Sequence, residues 1–256
     1  MRDILEAVAA GEMSVEAAEA ELAGYVTSEA GRFDAAREDR SGVPEAILAS
    51  GKTPAEVATL ATSSVESTGR AIVTRATEEH SVAVRERLDD DLPAVSLSRH
   101  ERAGILVATT AEFVRPTLEA SVGVVTAGTS DAIPAGEAAV IVREMGASVE
   151  RIDDIGIASL SRLLDSLSVL REQDILIVAA GREGALPTVV AGLVDVPVIG
   201  LPVSTGYGYS GEGNAALAGM LQSCTALTVV NIDAGFTAGA QAGLYARQLD
   251  AARDDG

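Results

Sequence analysis

The chain has 256 residues, 47% of them hydrophobic but only 3% aromatic and none tryptophan, so its core is built from Ala, Val, Leu and Ile, and stacking platforms for bases are not expected. Acidic residues outnumber basic ones 38 to 19, a formal net charge of -19, which disfavours binding to nucleic acid or an anionic membrane. A single cysteine excludes an intrachain disulfide, and His80 and His100 have no partner at zinc-ligand spacing, so no structural zinc site is expected.

Residues 1 to about 24 read as a helical hairpin or a kinked helix: Ile4, Leu5 and Val8 are helically spaced before Gly11, and Ser14 is placed to cap a second piece. This segment is acidic and amphipathic rather than basic and continuously apolar, and nowhere do eighteen uncharged apolar residues run together. No secretion signal and no membrane span are therefore expected, and the chain is read as soluble and cytoplasmic. After a stretch of mixed charge and turn residues, Thr53, Pro54 and Glu56 form a helix start, with a cap, a proline at the first helical position and a capping-box glutamate; a helix over about 54–64 follows. A strand near 70–75, a helix in "TEEHSVAVRERL" and extended runs in "LPAVSLS" and "GILVAT" complete a small α+β module, residues 1–118.

From residue 121 short apolar runs alternate with helical segments, the pattern of right-handed βαβ units and a parallel sheet. The strands are placed at "SVGVVTA", "ASVERID", "DILIVAA", "VPVIGLP" and "LTVVNI", with helices starting near Pro134, Ser159, Gly184 and Gly213 and a last one after Phe236. Residues 119–256 thus read as a doubly wound, Rossmann-like α/β domain, whose ligand belongs at the carboxyl ends of the strands.

The loops there carry the candidate chemistry. "AGTSDAIPAGEAA" offers Gly128, Thr129 and Ser130 before a helix opened by Pro134; it is a phosphate cradle or an ordinary capped turn. In "AAGREGALPTVVAG" Glu183 is an acid, base or metal ligand, or a solvated helix-start glutamate. "GLPVSTGYGYSGEGNAALAGML" has the glycine and tyrosine content of a binding loop. By residue type alone Cys224 reads as a small buried hydrophobe, and the helix end before it disfavours a thiolate.

Taken together and in order, "TAGTSDAIPAGEAA", "DIGIASLSRL", "VAAGREGALPTVVAGLVDVPVIGLPVSTGYGYSGEGNAALAGMLQSC" and "VVNIDAGFTAGAQA" resemble the LarB family, the pyridinium-3,5-biscarboxylic acid mononucleotide synthases of nickel-pincer cofactor biosynthesis. "DAAREDRSGVPEAILASGKT", with Asp34, Arg37, Arg40, Pro44, Glu45, Gly51 and Lys52, resembles the N-terminal region of that family. More distantly, residues 121–245 are similar to carboxyaminoimidazole ribonucleotide mutases, but the two histidines of those enzymes fall on Ser161 and Ala185, which disfavours the purine reaction.

The resemblance implies a reaction. Nicotinic acid adenine dinucleotide is carboxylated by CO2 or bicarbonate at carbon 5 of its pyridinium ring through a covalent adduct on Cys224, and its phosphoanhydride is hydrolysed to release AMP. It implies Glu183 in acid/base work or as a ligand of Mg2+ together with Asp154. Gly128, Thr129, Ser130, Asp131 and Arg162 are expected at the nucleotide phosphate, Ser204, Gly206, Tyr207 and Gly208 over the pyridinium, and Asp233 as a further carboxylate at the site. No bound organic cofactor is expected, and related folds imply a homo-oligomer, a tetramer or octamer. The alanine-rich last helix, "TAGAQAGLYARQL", could pack on a copy of itself or on its own sheet.

Overall fold

The computed structural model describes residues 2–11, 14, 15, 18, 22, 24–205 and 211–254. The chain divides into two compact units, residues 1–114 and 115–256.

In the first unit, helix α1 (Arg2–Ala10) occupies the first part of the expected N-terminal helical segment, most of whose second part lies outside the described residues. Strands β1 (Tyr25–Ser28) and β2 (Gly31–Asp34) form an antiparallel hairpin, followed by the short α2 (Arg37–Ser41) and β3 (Ile47–Leu48). Elements this short offer too few positions for hydrophobic alternation to reveal them. Then come α3 (Pro54–Thr68), β4 (Arg70–Thr74), α4 (Glu78–Asp91), β5 (Ser96–His100) and β6 (Ile105–Thr109). Four strands make one sheet in the order β3-β4-β6-β5, with β3 and β4 parallel and the other pairs antiparallel. Val57, Leu60 and Val65 of α3 and Val84 and Leu88 of α4 bury against Val73 and Leu106 of that sheet.

The expected start of α3 is present in full. The Glu56 amide donates to Thr53 Oγ1 at 3.3 Å and the Thr53 amide to Glu56 Oε2 at 2.7 Å. The helix runs past residue 64 because nothing stops it before Gly69, whose φ of 74° supplies the left-handed cap. In α4 a buried histidine fills the glutamate's place: the Thr77 amide donates to His80 Nδ1 at 3.0 Å, and Nε2 is 3.0 Å from the Lys52 carbonyl oxygen. With Nδ1 accepting, Nε2 carries the proton and donates, so His80 ties two segments together. The charged residues of "DAARED" and its surroundings likewise pair with one another, Arg37 with Glu45 at 2.6 Å and Arg40 with Asp34 at 2.5 Å. Buried Arg70 pairs with Glu38 at 2.5 Å and lies 4.7 Å from the centre of the Phe113 ring.

The second unit is built on a five-stranded parallel sheet of β7 (Ser121–Thr126), β8 (Ser148–Ile152), β9 (Ile175–Ala180), β10 (Val198–Pro202) and β11 (Thr228–Val229), in the order β11-β10-β9-β7-β8. The α/β expectation is met strand by strand, although β11 pairs over only two residues of "LTVVNI". Helices α5 (Ala132–Glu144) and α10 (Gly235–Asp254) cover one face. Helices α6 (Leu160–Asp165), α7 (Leu167–Arg171), α8 (Ala185–Ala191) and α9 (Asn214–Leu221) cover the other. Strand periodicity divides the core: Val122, Val124, Ile175 and Ile177 bury with the first pair of helices, Val125, Leu176 and Val178 with the second set.

The last helix packs within its own unit. Ala238, Ala242 and Ala246 are fully buried with Ala135, Ala138 and Ala139 of α5. A Cβ at Gly239 would stand 2.6 Å from the Ala138 carbonyl oxygen, and one at Gly243 2.5 Å from Met145 Sδ. The small residues of "TAGAQA" thus let α10 lie backbone against backbone on α5.

Candidate functional site

Strand order reverses between β7 and β9, since the chain goes from β7 outward to β8 and returns to the other side of β7. In a doubly wound sheet this switch point opens the ligand crevice at the strand carboxyl ends. A cleft of about 220 Å³ lies there, lined by residues 127, 128, 130 and 131 after β7, 156–158 after β8, 180–183, 185 and 186 at the β9–α8 turn, and Thr205 after β10.

The turn after β7 is held by its own aspartate. Gly128 is extended (φ -150°, ψ 178°) and its amide donates to Asp131 Oδ2 at 2.8 Å. Asp131 is only 3% exposed; burial pushes its carboxyl above the ordinary aspartate range, opposed by donation from the Gly128 amide, the Ser130 hydroxyl and the amides of Gly181 and Ala127. One buried carboxylate thereby ties the β7 turn to the β9 turn. This leaves Thr129 and Ser130 exposed at the entrance to α5, and the Thr205 hydroxyl closes on the Ser130 carbonyl at 3.2 Å.

The β9 turn is equally fixed. The Gly184 amide donates to the Gly181 carbonyl at 2.9 Å, and Arg182 adopts φ 48°. Gly184, at φ 66°, has no room for a side chain: its Cβ would meet the Ala216 carbonyl oxygen at 2.5 Å, and a Cβ on Gly219 would meet the Glu183 carbonyl oxygen at 2.3 Å. Helix α9 therefore braces the backbone that carries Glu183, whose side chain is exposed at the cleft. Asp154, Arg182, Glu212 and Asp233 all have positive φ without being glycine, and each lies in the segment leaving one of the strands β8 to β11. Such backbone persists where surrounding contacts enforce it, and it concentrates at functional sites.

The other expected site residues are placed as follows. Asp154 and Arg162, expected as a metal ligand and a phosphate ligand, are bound to each other instead: Arg162 Nη1 lies 2.6 Å from Asp154 Oδ2 and 2.8 Å from the Asp154 carbonyl oxygen, and neither residue lines the cleft. Asp233 Oδ1 accepts from the Ser204 amide at 2.9 Å, so this pair positions the base of the loop after β10. Gly206, Tyr207 and Gly208 lie outside the described residues. Among the described residues no group of three His, Cys, Asp or Glu side chains could hold a metal ion. Of the two expected Mg2+ ligands only Glu183 lines the cleft.

Cys224 is exposed, so the reading of it as a buried hydrophobe is corrected. It sits three residues beyond α9, outside the cleft lining. Its neighbour Thr225 donates through its hydroxyl to the Thr188 carbonyl of α8 at 3.4 Å, and α8 begins at the Glu183 turn. Sequence reasoning missed Arg182 and Thr205 as lining residues. Each adjoins a residue it did single out, Glu183 and Ser204, and that adjacency was the available signal.

These features define a doubly wound α/β domain with an anchored glycine turn and a carboxylate at its switch point. Residues 121–256 match the family described as AIR carboxylase, and residues 25–110 match the LarB/PurE-like N-terminal domain. An uncharacterised protein of Methanocaldococcus jannaschii is 36% identical over 258 residues, covering 96% of this chain and 97% of that one. The chain belongs to the LarB family, with an AIR carboxylase domain as its C-terminal half. Among the described residues no helix is long and apolar enough to cross a membrane.

Proposed function

We propose that the protein carboxylates the pyridinium ring of nicotinic acid adenine dinucleotide and hydrolyses its phosphoanhydride. The products are pyridinium-3,5-biscarboxylic acid mononucleotide, for the nickel-pincer cofactor of lactate racemase, and AMP. The observation that carries this reading is the union of a LarB/PurE-like domain with an AIR carboxylase domain that contains no histidine over residues 121–256 but has one exposed cysteine. Ala185 lines the cleft where a mutase-type histidine would stand, which leaves the purine reaction without its acid.

The chemistry explains the thiol. A pyridinium ring is too electron-poor to attack CO2. Addition of the Cys224 thiolate forms a carbon–sulfur bond and moves an electron pair into the ring, giving a neutral dienamine with a nucleophilic carbon 5. Carbon 5 attacks CO2 to form the new carbon–carbon bond, and its proton passes to a base, the role assigned to Glu183. The carbon–sulfur bond then breaks, the thiolate leaves with its electron pair, and aromaticity returns. Water cleaves the phosphoanhydride. The cationic substrate itself favours the thiolate beside it.

The cleft, at about 220 Å³, is smaller than the roughly 300–1,000 Å³ of pockets that enclose drug-sized ligands. It suits a phosphate and part of a sugar, and leaves the pyridinium outside, to be met by Cys224 of the same chain or of a second copy in a homo-oligomer. The test is mass spectrometry of protein and products after incubation with the dinucleotide and bicarbonate. Cys224→Ala and Cys224→Ser should give neither adduct nor carboxylated product while melting as the unaltered chain does. Full turnover by either variant removes the covalent mechanism, and turnover of aminoimidazole ribonucleotide instead replaces the proposal with the purine reaction.

A further inference from the structure

We propose that Thr205 is a positioning residue of the cleft, whose hydroxyl covers a backbone carbonyl that would otherwise stand bare where the phosphate binds; the identity of that anion rests on the dinucleotide reading above. The sequence itself creates the need. In an α-helix each carbonyl accepts from the amide four residues on, and for Ser130, at the entrance to α5, that residue is Pro134, which has no N–H to give. A donor comes from another strand instead: the Thr205 hydroxyl donates to the Ser130 carbonyl oxygen at 3.2 Å.

The fold brings that hydroxyl into place. Thr205 follows β10 and Ser130 follows β7, and β9 lies between those strands in the sheet, so the bond bridges the end of β9, whose Ala180 lines the cleft together with the two bonded residues. The backbone leading to Thr205 is fixed from both sides. The Val203 amide donates to the Ala180 carbonyl at 3.1 Å, the Asp233 amide to the Pro202 carbonyl at 2.9 Å, and the Ser204 amide to Asp233 Oδ1 at 2.9 Å. Thr205 itself is exposed, so its hydroxyl acts on the direction and charge of the rim rather than on the core. A carbonyl oxygen carries partial negative charge, and a hydroxyl hydrogen placed on it offsets that charge along the path of an anion. In a cleft already lined by Asp131 and Glu183, a further bare oxygen weakens the binding of a phosphate.

The test combines isothermal titration of the full chain at low ionic strength, with inorganic pyrophosphate and with adenosine, and steady-state turnover of the dinucleotide with bicarbonate. Thr205→Val keeps the shape of the side chain and removes the donor. It should weaken pyrophosphate binding about two- to tenfold, the range for one net hydrogen bond, leave adenosine unaffected, and raise KM for the dinucleotide by a similar factor with kcat unchanged. Thr205→Ser, which keeps the hydroxyl, should behave as the unaltered chain does. The inference is overturned if pyrophosphate does not bind the unaltered chain, if Thr205→Val binds it as tightly, if Thr205→Ser loses as much as Thr205→Val, if adenosine weakens by the same factor, or if kcat falls while KM holds. Failure of the carboxylase reading looks different: no bicarbonate-dependent turnover, with pyrophosphate binding still dependent on the hydroxyl at position 205, which upholds the positioning role and removes the reaction.

Discussion

Asp131 bears on both the fold and the site, and its replacement has a calculable effect. Asp131→Ala strands the amides of Gly128 and Gly181, both of which donate to the carboxylate. A hydrogen bond to a charged group contributes roughly 1.5–3 kcal/mol, so two lost bonds remove about 3–6 kcal/mol gross. Relief of carboxylate burial offsets part of that, and a net loss of about 3 kcal/mol is expected. For a unit of this size each kcal/mol lowers the melting temperature by roughly 2–4 °C, so its transition should fall by about 6–12 °C. The pH dependence supplies a second check. Burial raises this carboxyl's pKa in the folded chain, so above the unfolded value of about 3.9 the folded state holds a proton that the unfolded state has released. The stabilising contribution of Asp131 is fully present below that value and is lost as pH rises through the folded pKa. Asp131→Asn abolishes this dependence. Calorimetric scans of both proteins between pH 4 and 7 should show the unaltered chain losing stability relative to the asparagine variant as pH increases. Parallel pH profiles, or a loss under about 1 kcal/mol in Asp131→Ala, would refute the assignment of Asp131 as the clamp between the two turns.

Glu183→Gln should slow carboxylated product formation or AMP release without lowering the melting temperature, and an unchanged rate takes Glu183 out of the site. Gly239→Ala should destabilise the second unit by up to about 2 kcal/mol in urea titrations: overpacking at the Ala138 carbonyl oxygen, 2.6 Å from the new Cβ, costs about 1–3 kcal/mol against a helix-propensity gain of about 1 kcal/mol. A raised urea midpoint would contradict the close approach of the two helices. At Asp174, burial pulls the carboxyl up, but the Arg253 guanidinium and the Ser121 backbone and hydroxyl donors outweigh it and leave the pKa below the ordinary value. Its contribution is present above the unfolded pKa of about 3.9 and is lost as pH falls through the folded one. Arg253→Ala should therefore flatten the acid limb of the stability profile, and an unaltered limb argues against the pair.

The βαβ half of the chain was legible because its strands are continuous apolar runs and each is followed by a turn and a helix. Both signals survive in a single sequence. The β1–β2 hairpin and β3 were not, because two to four residues cannot display a period. In the site, the Gly128 turn and Glu183 were found because glycine and a strand-end carboxylate stand out from their surroundings. The pairing of Arg162 with Asp154 was not, because an arginine beside a carboxylate reads equally well as ligand or as partner. Cys224 shows a different limit: its type argues for burial, and only packing reveals its exposure.

The close approach of Gly219 to the Glu183 carbonyl links two groups that the fold otherwise keeps on separate segments. The helix that presses on this carbonyl ends at Leu221, and Cys224 hangs from its end. One helix thus both braces the Glu183 backbone and leads into the segment that carries Cys224. A side chain larger than hydrogen at position 219 would meet the Glu183 carbonyl oxygen at 2.3 Å and push the Glu183 turn and this helix apart.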